Sequence, residues 1–200
     1  MQTIGIVFAS WFLAEFYGYW LHILLHSDRF RWFSRKHMHH HLKCYGPTMK
    51  CRTPEYIQDT GDDILVGGLG LEWFIPALFL VIATGACEWA IGLSWFEILL
   101  SEAILITYSV FLFWNLHDAM HIKDTWILRV PFLRKRFLKA RRLHDIHHNC
   151  ISDDGLMQKN FGIAFPFFDH IFGTYQSRLG GINKDGVEAA YERYGISRDD

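Results

Sequence analysis

The sequence predicts an all-α, integral-membrane helical bundle of about three transmembrane helices, capped by a cytosolic helical layer that holds a histidine-rich site. Three features lead there: long stretches without a basic residue, segregation of Lys and Arg into two blocks, and histidines repeated at helical spacing. Half of the 200 residues are hydrophobic and 16% are aromatic, which is rich for a chain that must also present a wetted surface. The length suits a single unit, residues 1–200. Residues 1–28 contain no Lys or Arg, and neither does Thr53–Ile122. Every basic residue falls in Arg29–Arg52 or from Lys123 onward.

The uncharged stretches hold apolar segments at about 3–25, 64–87 and 90–116, each near the ~20 residues that cross a hydrocarbon core as a helix. The first is too long and too aromatic for a cleavable signal peptide, and no small-residue cleavage site follows it. Trp73, Trp89 and Trp95 stand where interfacial aromatics are expected. A short turn at Ala90–Leu93 makes a hairpin of the second and third segments. The segments 27–63 and 117–200 then share one side, which the preference of Lys and Arg marks as cytoplasmic, with the N-terminus opposite. A soluble protein with a buried hairpin is the competing reading, and the charge pattern disfavours it. Glu15, Glu72, Glu97 and Glu102 lie within or beside the spans. Carboxyl groups are costly in lipid, so they are expected to face the bundle interior or the interface.

Some function classes drop out early. A net charge of −1 gives no electrostatic ground for a nucleic-acid partner. Cys44, Cys51, Cys87 and Cys150 form no CxxC pair, so there is no sign of a disulfide framework, a zinc ribbon or a haem attachment site.

The chain has 12 histidines, and most fall into four boxes. They are His22-x3-His26, His37-x2-His40-His41, His117-x3-His121 and His144-x2-His147-His148. On a helix, positions i and i+4 differ by about 40° and i and i+3 by about 60°. Each box therefore presents its imidazoles on one face, while His39 points away. Ten imidazoles gathered on one side of a membrane exceed what one ion uses and suit two. Imidazole alone does not choose among Fe, Zn, Cu and Ni. Asp118 and Asp145 sit inside boxes, as solvent-facing carboxylates or as supports of a ligand.

This order of boxes resembles the fatty acid hydroxylase/sterol desaturase superfamily of membrane non-haem di-iron enzymes. Lys159-Asn160-Phe161-Gly162 and Phe168-Asp169-His170-Ile171-Phe172-Gly173-Thr174-Tyr175 are similar to two further signatures of that family, and the likeness runs from Trp20 to Tyr175. The resemblance implies two iron ions, with zinc as a non-native occupant, and O2 as cosubstrate. Its ligands would be His22, His26, His37, His40, His41, His117, His121, His144, His147 and His148, with Asn160 supporting one of them and His170 structural. The implied reaction is hydroxylation of a C–H bond of a lipid drawn from the bilayer (fatty acyl, sphingolipid or sterol-like). No cytochrome b5-like domain is fused, so electrons would come from an external donor, cytochrome b5-like or a ferredoxin with its reductase. A bacterial inner membrane or the endoplasmic reticulum would house it. Carotenoid ring hydroxylation or lipid desaturation on the same scaffold is the alternative. A membrane metal-binding or transport protein is the non-enzyme one, disfavoured because transporters place ligands near the bilayer midplane.

Overall fold

The structure, a computed structural model, describes residues 2–47 and 71–198. Residues 64–70, the start of the expected second span, lie outside the described residues, as do the side chains of Glu72 and Trp73. Among the described residues the protein is helical, and its β-type pairing is a single bridge between Ile151 and Met157.

Helix α1 (Gln2–Leu25) contains the apolar run Thr3–Leu25, long and apolar enough to cross a membrane. Helix α3 (Leu71–Ala90) contributes a shorter apolar stretch, Ile75–Ala90. Helix α4 (Trp95–Val110) continues through a π-helical turn at Phe111–Leu116 into α5 (His117–His121). Together they make the second run long and apolar enough to cross, Trp95–His121. The third segment thus begins at Trp95 and not at Ala90, and its cause is a capping box. Ser94 Oγ accepts from the Glu97 backbone N–H, and the Glu97 carboxylate accepts from Ser94 N–H at 2.8 Å. This reciprocal pair satisfies N–H groups that a helix start leaves open. The turn before it uses Gly92 at φ 84°, a left-handed backbone that glycine adopts freely.

Close packing of α1 on α4 decides which way the carboxyl groups face. Ser10 and Ser101 hydroxyls meet at 2.8 Å. Ala14, Leu80 and Leu105 form an apolar cluster between α1, α3 and α4. Gly18 lets Phe113 approach so closely that a Cβ there would stand 3.3 Å from its ring. Glu15 is buried and accepts from Tyr108 OH at 2.5 Å, and Glu88 accepts from Ser101 Oγ at 2.5 Å. The outer faces of α1, α3 and α4 carry exposed apolar side chains, among them Ile4, Phe8, Phe79, Ile82 and Leu99.

Below the ends of α1 and α4 lies a second layer. Helix α2 (Arg31–His39) runs into a π-helical turn, His40–Cys44. Helix α6 (Pro131–Asn149) starts with proline in its first turn, where no N–H is needed. The short α7 (Phe167–Phe172) packs beside α1, and α8 (Lys184–Tyr194) closes over α2. Met38, Leu42, Ile151, Met157, Val187, Ala190 and Tyr194 form one core. Tyr191 OH donates to Leu42 O at 2.6 Å, and Tyr194 OH donates to His26 O. The polar C-terminal segment is therefore a cover over the histidine layer.

Candidate metal centre

Each box delivers its histidines from a different element. The last turn of α1 carries His22, and His26 directly follows its end; α2 and its π-helical turn carry His37, His40 and His41; α5 carries His117 and His121; the last turns of α6 carry His144, His147 and His148. Nine of the ten are buried, and His40 is half-buried. His39 is exposed near Cys44, and His170 is exposed and stacked on Tyr175 at 3.9 Å. Neither faces the other ten.

The ten divide into two groups. His22, His26, His37 and His41 bring one ligand atom each within 4.8 Å of one another. His147 joins them, its Nε2 lying 3.0 Å from His26 Nε2. His40, His117, His121, His144 and His148 form the second group by the same measure. The two HxxHH boxes are thus split, and the simple one-face picture needs correction. In each, the i and i+4 residues serve one group while the i+3 residue crosses to the other. The reason is angular: i+3 and i+4 lie about 100° apart, on opposite flanks of i. His40 therefore leaves its own box to join His121, Nε2 to Nε2 at 3.2 Å. The expected regular helix over the second box also gives way, at His40, to the π-helical turn, a local feature that often accompanies functional sites.

Five of the outward nitrogens are tied down. His22 Nδ1 donates to Phe161 O at 2.7 Å, His147 Nδ1 to Lys159 O at 2.6 Å and His148 Nδ1 to Tyr45 O at 3.2 Å. His117 Nδ1 donates to Asp118 at 3.1 Å, and His26 Nδ1 to Met38 Sδ at 3.2 Å. A neutral imidazole has one donor and one acceptor nitrogen. With Nδ1–H committed outward, Nε2 turns a lone pair inward. Burial, reinforced by neighbouring imidazoles, pushes His26, His41, His144 and His148 well below the usual histidine pKa. Burial likewise lowers His147 to about 4, against its bond to Lys159. They are neutral near pH 7.

Nε2 atoms facing one another at such distances suit a shared cation. His26 and His147 oppose Nε2 atoms at 3.0 Å although both donate from Nδ1. The remaining Nε2 pairs are His26–His37 and His37–His41 at 3.2 Å, His121–His144 at 2.9 Å and His144–His148 at 3.1 Å. Two nitrogens each about 2.0–2.1 Å from a shared ion, at right or tetrahedral angles, would be about 2.9–3.4 Å apart. His22 Nε2 and His117 Nε2 are buried and have no hydrogen-bond partner among the described residues, a state that buried polar atoms avoid unless something else satisfies them. The groups can each hold a metal ion.

Residues beyond the histidines shape this arrangement. Asn160 does not reach an imidazole. It takes φ 56°, donates to Leu143 O and Gln176 O, and accepts from Gln176 N–H. That holds the carbonyls of its two neighbours, Lys159 and Phe161, against His147 and His22. Asp169, fully buried, accepts from the N–H groups of Phe161 and Gly162 at 2.8 and 2.9 Å and from Thr174 Oγ1 at 2.7 Å. Sequence reasoning missed it, although its place in the Phe168–Tyr175 signature was the available signal. Asp118 touches His117, whereas Asp145 is buried beside His144, its carbonyl accepting from Asn149.

Comparison with known proteins bears on the same residues. Neither the curated proteins nor the solved structures yield a match. The family described as fatty acid hydroxylase matches residues 7–174, a stretch that contains all four boxes, Asn160 and Asp169. That family, the two apolar runs long enough to cross a bilayer and the histidine groups together point to a membrane-bound, metal-dependent oxidoreductase. Matched over most of its length, the chain belongs to the fatty acid hydroxylase family.

Proposed function

We propose that the protein is a membrane non-haem di-iron oxygenase that hydroxylates a C–H bond of a lipid, using O2 and electrons from a separate donor protein. The observation that carries this reading is the division of ten histidines, nine of them buried, into two groups of five within a chain of this family. His22, His26, His37, His41 and His147 would hold one iron, and His117, His121, His144, His148 and His40 the other. Bound there, iron would activate O2, the oxidant that an unactivated C–H bond requires. Zinc in the same nitrogen sets would give a folded but inactive protein.

What the chain itself contributes is placement and exclusion. The outward hydrogen bonds of His22, His147 and His148 fix ring orientation and leave Nε2 free to ligate, which raises ligand basicity. α8, through Tyr191 and Tyr194, shields the histidine layer from water on its far side. The route left for an apolar substrate is from the bundle, along the apolar surfaces of α1 and α4. We place three spans across the bilayer, α1, α3 and the run from α4 to α5, with the histidine layer as a cytosolic cap. The clustering of Arg29–Arg52 and Lys123–Arg142 on that side supports the orientation. The exposed basic side chains of α6, among them Arg134, Lys135 and Arg136, offer a docking surface for an acidic electron donor.

The test uses iron-loaded protein reconstituted with membrane lipids, a reductant with its carrier protein, and isotopically labelled O2. One labelled oxygen should appear in a lipid alcohol. Loss of two hydrogens without oxygen gain would mark a desaturase instead. If iron-loaded protein changes no lipid in either way, the oxygenase reading fails.

A further inference from the structure

The segment Phe161–Phe172 belongs to the part of the chain that its polar residues assign to the cytosolic cap, yet its aromatic side chains climb along α1. Phe161 lies against His22 and His26. Phe165 then meets Trp11 at 5.7 Å, and Phe167 meets Phe12 at 5.8 Å. The chain turns back with Phe168 against Phe16 at 5.2 Å and Phe172 against Trp20 at 5.2 Å. At 1.5 Å per residue, Trp11 is about 21 Å up the helix from Leu25, past the middle of the run Thr3–Leu25. The other flank agrees: Ile163 and Ala164 pack with Leu112, Leu116 and Tyr108 of the second apolar run. The loop climbs between α1 and α4 and comes back.

Irregular backbone at such a depth is tolerated only where its polar groups are satisfied within the protein. This loop meets that condition at Phe161, Gly162, Pro166 and Asp169. Asp169 accepts from Phe161 N–H and Gly162 N–H through its carboxylate, and from Thr174 N–H and Tyr175 N–H through its carbonyl. Pro166 has no N–H, and its carbonyl accepts from His170 N–H at 3.1 Å. Gly162 allows the tight closure, since a Cβ there would stand 2.5 Å from Phe165 O and 2.7 Å from Asp169 Oδ2. The outward side is apolar instead. Phe167 is 51% exposed and Ile171 56%, and they continue the exposed surface that Phe8, Phe12 and Trp20 form on α1.

The geometry points to a re-entrant, lipid-inserted loop at Phe161–Phe172, whose partner is the hydrocarbon of the bilayer. This rests on the reading that α1 crosses the membrane. The loop then carries the carbonyl that orients His22 and also meets the acyl chains, so it couples the lipid phase to one histidine group. Phe167 and Ile171 form its lipid-facing edge.

Nitroxide labels report depth directly. In the full chain with its native cysteines replaced by serine, single labels are placed through Phe167→Cys, Ile171→Cys, Phe8→Cys on α1 and Gly180→Cys as the water reference. Each variant is reconstituted in phosphatidylcholine vesicles after its metal content is shown to match the parent. Relaxation by O2, which enriches in hydrocarbon, is compared with relaxation by a water-soluble nickel chelate. The O2-to-nickel ratio at Phe167 should approach that at Phe8 and exceed that at Gly180 several-fold, with Ile171 between. A Phe167 label that behaves like Gly180 while Phe8 reports lipid overturns the insertion. A label shielded from both reagents also overturns it, because another copy of the chain would then cover the edge. If Phe8 itself reports water, the membrane reading of α1 fails first, and the two failures are distinguishable.

Discussion

Replacing His147 by alanine is expected to strip metal from the group built by His22 and His26, not from the group of its own box partners His144 and His148. The crossing of the i+3 histidines requires it, since His147 Nε2 lies 3.0 Å from His26 Nε2 and outside the second group. An open coordination position should lower product formation by more than about a hundredfold, beyond the 10–100-fold typical of a lost supporting residue. A double-mutant comparison makes the assignment. In a His22→Ala background, His147→Ala should remove no further metal. In a His148→Ala background, it should remove the remaining ion. His40→Ala should show the mirror pattern, additive with His22→Ala and not with His121→Ala. Metal content is measured beside thermal unfolding, so that a folding defect is recognised. Equal and interchangeable losses for His147→Ala and His148→Ala would mean that the boxes are not split.

Asp169→Asn is the second substitution with a large expected effect. The carboxylate is fully buried and accepts from two backbone N–H groups and one hydroxyl. An amide presents an NH2 where one of those donors points, leaving buried donors unpaired, at a cost of about 3 kcal/mol. The unfolding midpoint should fall accordingly. Metal should also bind more weakly, because Phe161 O, which orients His22, is held through the same carboxylate. Thr174→Val removes one of the three bonds and should cost about 1 kcal/mol. An Asp169→Asn protein as stable as the parent, with full metal content, would contradict this role.

Much of the site was legible in the sequence because helical spacing is local. His22 and His26, or His144 and His148, lie one turn apart, and no tertiary information is needed to place them on a common face. The destination of His40 and His147 was not legible. Which flank of a helix meets which partner depends on how α1, α2, α5 and α6 pack, and a period carries no such record. The π-helical turn at His40–Cys44 was hidden for a related reason, since a π turn is imposed by packing more than by residue type. The start of α4 at Trp95 was in principle readable, because Ser94 and Glu97 stand at capping-box spacing. Apolarity alone carried the expectation back to Ala90. Asn160 was singled out as the support of a ligand, but its side chain binds carbonyls and holds its neighbours, a role that needs the φ of 56° to be seen. The Phe161–Phe172 loop hid behind Pro166, Asp169 and His170. Those residues break up an apolar run, so hydropathy passes over the loop while its five phenylalanines pack at the depth of α1.

Metal analysis of the purified protein, with the nitrogen environment read by X-ray absorption, tests the two-centre arrangement most directly. Two ions per chain, iron in the active form, in shells dominated by imidazole nitrogen, is the result expected from two groups of five histidines. One ion per chain in carefully prepared protein, or a shell rich in carboxylate oxygen, would contradict it.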